Sequence, residues 1–132
     1  MLKIVLDANI IISAFVFEGR IRDVVDLVTI NHNLCFSDNL IIEVKEKMIN
    51  KFFVDKKLIE AFDQLISKSI KYYPTKKIDF SADPKDAYLL ELAEESKADY
   101  LITGDKKHLL PLKHWKKTVI INPSDFMKIK LI

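Results

Sequence analysis

The chain alternates short, wholly apolar runs with longer stretches in which apolar residues recur every three or four places. It opens on KIVLD, residues 3–7, an apolar run that ends on the carboxylate of Asp7, with the amide Asn9 two places on. Such a run, bounded by turn-forming residues, predicts a strand buried on both faces. The apolar helix IIISAFVF follows, Gly19 interrupts it, and IRDVVDLVTIN resumes helical spacing at Ile21, Val24, Val25 and Val28. NLCFS, residues 33–37, predicts a second strand. Ser37 or Asp38 then caps a helix over 38–53, with Leu40, Ile41, Val44, Met48 and Phe52 on one stripe. Asp55 caps another amphipathic helix over 56–70. Residues 71–80 are a loop with room for one short strand, which Pro74 confines to a sheet edge. In 82–97, Asp83 at the N-cap, Pro84 at N1 and Asp86 at N3 mark a strong helix start. DYLIT (99–103) and TVIIN (118–122) are strands, with a turn and short helix between them in GDKKHLLPL. PSDFMKIKLI, residues 123–132, closes the chain as a short helix or strand.

Strands alternating with helices predict an α/β fold with a parallel central sheet. In such sheets ligands bind beyond the carboxyl ends of the strands. The 132 residues make one domain, spanning 1–132, with 49% hydrophobic residues, two Gly and four Pro, and no low-complexity tract. No apolar run is long enough to span a bilayer, and Asp7 breaks the N-terminal run too early for a signal peptide. The single Cys35 excludes an internal disulfide and fits a reducing, cytoplasmic setting; within LCF it reads as a buried structural thiol. The net charge is +2, less basic than simple nucleic-acid binders. Only Arg20 and Arg22 among the 21 basic residues are Arg, so phosphate contact outweighs forked base recognition.

The acids fall where that architecture concentrates chemistry. Asp7 ends the first strand, Asp105 follows DYLIT in TGD, and Glu43 lies in the first turns of the helix after LCF. Asp86 opens the helix that precedes DYLIT, and a helix antiparallel to the strands starts at their carboxyl edge. Four carboxylates converging there repel one another, and a divalent cation relieves that repulsion. Oxygen donors suit Mg²⁺ or Mn²⁺, and His32, His108 and His114 lack ligand-like spacing for zinc. Each acid also has a plainer role: Asp7 and Asp86 at helix starts, Asp105 in a turn, Glu43 on a solvated face. Asn9 reads as the better cap beside Asp7, and Asp83 reads as a cap only.

Four stretches in this order, VLDANIIISA, SDNLIIEV, DPKDAYLLELA and ADYLITGDKKHLL, resemble the PIN domain, and more closely the toxin components of prokaryotic toxin–antitoxin pairs (VapC-like ribonucleases). The resemblance covers roughly residues 1–127. It implies a three-layer α/β/α fold and Mg²⁺- or Mn²⁺-dependent hydrolysis of RNA phosphodiester bonds by metal-activated water. It implies metal-binding catalytic acids at Asp7, Glu43, Asp86 and Asp105, with Asn9 and Thr103 as supporting polar positions. It also implies a cognate antitoxin and a homodimer. The chain departs from many relatives after the last acid, where Lys106 and Lys107 stand in place of a further carboxylate.

An acidic pocket needs a basic rim to hold RNA. Arg20, Arg22, Lys85, Lys106 and Lys107 are the leading candidates, with Lys45 and His108 nearby. Trp115, Tyr72 and Tyr73 read as core or interface aromatics before base-stacking ones. The apolar stripes of 38–53 and 56–70 are wide enough to meet a neighbour, and intrachain packing explains them equally well. Neither Ser13 nor Thr103 has a base spaced to make it a nucleophile. A receiver-like signalling domain wants an acid pair after the first strand, and Ala8 follows Asp7. No P-loop motif is present. A non-catalytic PIN-like RNA- or protein-binding module, or a housekeeping RNA-processing nuclease, are the alternatives.

Overall fold

The structure is a computed structural model, and it describes residues 1–129. Strand β1 (Lys3–Leu6) leads into helices α1 (Ala8–Val16) and α2 (Arg20–Asn31), then strand β2 (Asn33–Phe36). Helices α3 (Asp38–Asn50) and α4 (Lys56–Ser67) precede strand β3 (Ile70–Lys71). A 3₁₀ turn (Pro84–Asp86) runs into α5 (Ala87–Ser96), followed by β4 (Tyr100–Ile102), a 3₁₀ turn (Leu110–Leu112), β5 (His114–Trp115), β6 (Thr118–Ile121) and α6 (Pro123–Ile129). The end of the expected closing element, residues 130–132, lies outside the described residues.

The sheet order is β3-β2-β1-β4-β6-β5, and every pairing except the β5–β6 edge is parallel. The central strands read as unbroken apolar runs because helices cover both faces. Ile4, Val5 and Leu6 of β1 and Leu101 and Ile102 of β4 are fully buried. By the right-handed crossover rule, α1–α2 and α3–α4 carry the chain from β1 to β3 along one face. Helix α5 returns it across the opposite face to β4. The layers agree: α1 packs on α2 and α3, α2 meets α6, and α5 lies on β1 and β2. The three-layer α/β/α expectation holds.

Local departures have local causes. Ile70, expected in a helix, is a strand residue, because Lys68 and Ser69 close α4 with hydrogen bonds back into its last turn. Two-residue strands β3 and β5 are too short to show any periodicity. The helix expected from Asp83 starts as a 3₁₀ turn and becomes α-helical at Ala87. Gly19, with φ +138, occupies a conformation that an L side chain resists, and it separates α1 from α2. The stripes of α3 and α4 turn inward through Leu40, Val44, Met48, Phe62 and Leu65, so intrachain packing accounts for them. Cys35 is buried as expected, and burial pushes its thiol up to about 11. No helix among the described residues is long and apolar enough to cross a membrane.

Candidate metal centre

The ladder between β1, β4 and β6 extends one residue past the strands. The Asp7 amide donates to the Ile102 carbonyl at 2.9 Å, and the Thr103 amide donates to that of Ile121 at 3.0 Å. Asp7 and Thr103 are therefore fixed by the backbone at the carboxyl edge, and both are buried. Thr103 is the hinge of the polar network. Its hydroxyl donates to Asp7 Oδ2 at 2.6 Å and accepts the Asp105 amide at 3.0 Å. One side chain thus ties Asp7, 96 residues away in sequence, to Asp105, two residues on.

Asp7 Oδ1 also accepts the Asn9 amide at 3.4 Å, which makes Asp7 the N-cap of α1. The expectation that Asn9 caps is corrected: a cap must precede the first helical residue, and Ala8 is that residue. Asn9 is exposed, and its side-chain oxygen instead accepts a hydrogen bond from Lys47 Nζ at 3.4 Å.

Asp7, Asn9, Ser13, Glu43, Lys47, Asp83, Asp86, Asp105, Lys107 and His108 share the walls of one cleft of about 510 Å³ at the carboxyl edge. Glu43 stands on α3, and the Tyr88 phenol of α5 donates to its Oε2. Asp105 Oδ1 accepts the amides of Lys107 and His108 at 3.0 and 3.1 Å, a turn that holds the residue through one oxygen. Asp83 Oδ1 caps the 3₁₀ turn through the Lys85 amide at 3.2 Å. Its Oδ2 lies 3.2 Å from His108 Nδ1, which is also 3.7 Å from Asp105 Oδ2.

The electrostatics follow from this crowding. Burial, with added repulsion from Asp7, Asp83, Glu43 and Asp105, raises the Asp86 carboxyl to about 7. Burial also raises the Asp7 carboxyl, against the opposing pull of the Thr103 and Asn9 hydrogen bonds. A cluster of acids that resist ionisation together is stabilised by a bound cation. The donor set fits a hard or borderline divalent ion: carboxylate oxygens and one imidazole nitrogen. Among the described residues, one set of three brings its donor atoms within 4.8 Å of one another: Asp83, Asp105 and His108. Asp7, Glu43 and Asp86 surround the same cleft at wider spacing.

Two of these residues carry more than the sequence reading assigned them. Asp83 is a cap, as expected, yet its second oxygen faces the cleft. His108 is part of the wall beside Asp83 and Asp105. Lys47 was missed, and Lys45 is displaced: it pairs with Asp63 at 2.7 Å, away from the cleft. Helical spacing carries the signal, because Lys47 is four residues after Glu43 and shares its face, whereas Lys45 is two residues on. Of the basic residues read as a rim, Lys107 lines the cleft, while Arg20 and Lys106 line a neighbouring groove that shares Gly104 with it. Arg22 and Lys85 are exposed and line neither. Trp115 donates to Glu94 at 3.0 Å beside α5, and Tyr73 is exposed on the β3 edge, both apart from the cleft.

The fold is shared with solved structures at low identity. A chain of VapBC2 from Rickettsia felis, bound to a DNA fragment from their promoter, matches with TM-score 0.61 and 16% identity, over 92% of this chain and 98% of that one. A chain of FitAB bound to an IR36 DNA fragment matches with TM-score 0.60 and 16% identity, over 91% and 94%. A chain of FitAcB from Neisseria gonorrhoeae matches with TM-score 0.55 and 16% identity, over 92% and 98%. No curated protein matches the sequence significantly. A sequence match to the PIN domain runs over residues 3–107, from the first residue of β1 past the last acid of the cleft. The resemblance first drawn from four short motifs thus extends over most of the fold, and the chain belongs to the PIN domain family.

Proposed function

We propose that the chain is a metal-dependent endoribonuclease that hydrolyses RNA phosphodiester bonds, and the toxin of a toxin–antitoxin pair. The observation that carries this reading is the ring of five carboxylates, Asp7, Glu43, Asp83, Asp86 and Asp105, around one cleft at the carboxyl edge. The PIN domain match over residues 3–107 supports RNA as the substrate class. Asp7, Glu43, Asp86 and Asp105 would hold Mg²⁺ or Mn²⁺, with Asp83 and His108 as further donors. A divalent cation bound there would lower the pKa of a water and offset charge on the phosphate. The chain's own residues do the rest. Thr103 aims Asp7 and Asp105. Lys107 and Lys47 place positive charge on the cleft wall, where a phosphodiester would otherwise meet only acids. Arg20 and Lys106 extend that charge along the adjoining groove. Ser13 lines the cleft, and among the described residues its hydroxyl has no basic partner, so no covalent intermediate is invoked.

The structural neighbours VapBC2 and FitAB are two-component assemblies by name, which supports an antitoxin as partner. Exposed Ile42, Ile49 and Phe53, on and just after α3, supply an apolar face for a homodimer. The test is cleavage of labelled single-stranded RNA by purified protein in Mn²⁺ or Mg²⁺. Cleavage stops in EDTA and falls roughly 10³-fold in folded Asp7→Asn and Asp86→Asn variants. Cleavage that survives EDTA, or folded variants as active as the parent, overturns the reading.

A further inference from the structure

Glu43 stands in the second turn of α3 and Tyr88 in the first turn of α5, 45 residues apart in sequence. The Tyr88 phenol donates to Oε2 of Glu43, and α3 and α5 pack together. That is the one hydrogen bond Glu43 receives among the described residues. The two partners are unequal. Glu43 is a long side chain on the cleft wall, and a free glutamate loses rotamer entropy when it is held in one orientation. Tyr88 has its ring packed against the hydrophobic core, so its hydroxyl has a set position. Tyr88 is also two residues after Asp86, where the 3₁₀ turn passes directly into α5. The phenol therefore connects the helix that carries Glu43 to the turn that carries Asp86.

We infer that Tyr88 is a positioning residue whose hydroxyl fixes the Glu43 carboxylate through Oε2 and presents Oε1 to a divalent cation in the cleft. It rests on the reading of the cleft as a cation site, and it adds a residue that neither the motifs nor the ring of acids contains. The phenol is a neutral donor, so it orients the carboxylate without neutralising it, unlike a lysine in the same place. Outer hydrogen-bond partners of this kind set how well a ligand is aimed, and their loss typically weakens metal binding about 10–100-fold.

The test is a double-mutant cycle read by Mn²⁺ titration calorimetry, with RNA cleavage in parallel. Tyr88→Phe keeps the ring and removes the donor. It weakens Mn²⁺ binding about tenfold when Glu43 is present. In a Glu43→Gln background the same change alters binding less than about twofold, because the group it positions no longer carries the charge. Thermal melts of all four proteins report the fold. A tie between α3 and α5 without an orienting role lowers the melting temperature and weakens Mn²⁺ equally in both backgrounds, and that result overturns the inference. So does unchanged Mn²⁺ affinity in Tyr88→Phe, or a parent protein that takes up no Mn²⁺. If the coupling is present and no RNA is cut, the positioning role stands and the ribonuclease reading fails. If RNA is cut and the coupling is absent, the reverse holds.

Discussion

Gly104 lines two hollows at the carboxyl edge of the sheet, and they are built on opposite plans. The acidic cleft, about 510 Å³, is walled by five carboxylates, and those of Asp7, Glu43, Asp83 and Asp105 each accept a hydrogen bond. The groove beside it is larger, about 740 Å³, with Ile21, Val24, Leu110 and Met127 among its lining residues and Arg20, Lys106 and Lys128 among its cations. Size alone would select the groove, and general experience favours large apolar pockets as binding sites. Chemistry selects the cleft. Burying acids together costs free energy, and a fold without a use for them would replace them with apolar side chains at little loss. Apolar walls in a groove need no such justification. The cleft therefore carries a requirement for charge, and the groove only an opportunity for contact.

The contrast breaks most sharply at Thr103, the fully buried hydroxyl that supports two acids of the cleft and does not line the groove. Thr103→Val keeps the shape and removes both bonds. It strands the Asp105 amide and leaves Asp7 without its strongest donor, at a cost of about 1–3 kcal/mol in stability. Cleavage in saturating Mn²⁺ falls roughly 10–100-fold, as expected when ligand orientation is lost. Chemical denaturation and steady-state cleavage measure the two effects separately. Full activity in the folded variant would mean that the acids need no aiming.

Protons offer a milder test of the same plan. The folded state holds the Asp86 proton up to about pH 7, while an unfolded chain releases it near the ordinary aspartate value of 3.8. The folded protein thus binds more protons across that window. Its metal-free stability is greatest below the window and falls as pH rises towards 7. Asp7, also raised, acts in the same direction. Asp86 is partly exposed, so solvent screening limits the effect to a fall in melting temperature of roughly 3–6 °C between pH 5 and pH 7.5. Asp86→Asn flattens the slope, and Mn²⁺ at pH 7.5 restores the lost stability. A metal-free melting temperature that rises with pH over this range would contradict the crowding of carboxylates.

Much of this contrast was written in the residues. KIVL, LCF, YLI and VII declare buried strands because a sheet covered on both faces has no polar side, and Asp7 and Asp105 stand out against that background. Ser37, Asp55 and Asp83 mark helix starts because their oxygens meet backbone amides within three residues. What stayed hidden depends on contacts across the chain. Asp83 serves as cap and cleft wall with its two separate oxygens, which a one-role reading cannot express. His108 reaches Asp83 only after the Asp105 turn folds it back. Tyr88 meets Glu43 across two helices, with no local signal in either segment. Lys47 was legible from its spacing to Glu43, and β3 and β5 follow from pairing with neighbours, not from any pattern of their own.

The smallest effect lies on the groove side. Lys106 is exposed, lines the groove and takes no part in the bonds that orient the acids. An exposed lysine acts on a polyanion mainly through Coulomb attraction, which salt screens. Lys106→Ala therefore raises the KM for single-stranded RNA about twofold to fivefold and leaves kcat unchanged, with the difference shrinking as salt rises. Mn²⁺ affinity stays at the parent value. Steady-state kinetics at two salt concentrations distinguishes this from a role in the cleft, where kcat would fall and salt would not rescue it. A drop in kcat would make Lys106 part of the acid site and erase the boundary at Gly104. An unchanged KM at low salt would leave the groove to a ligand other than RNA, for which its aliphatic walls are equally suited.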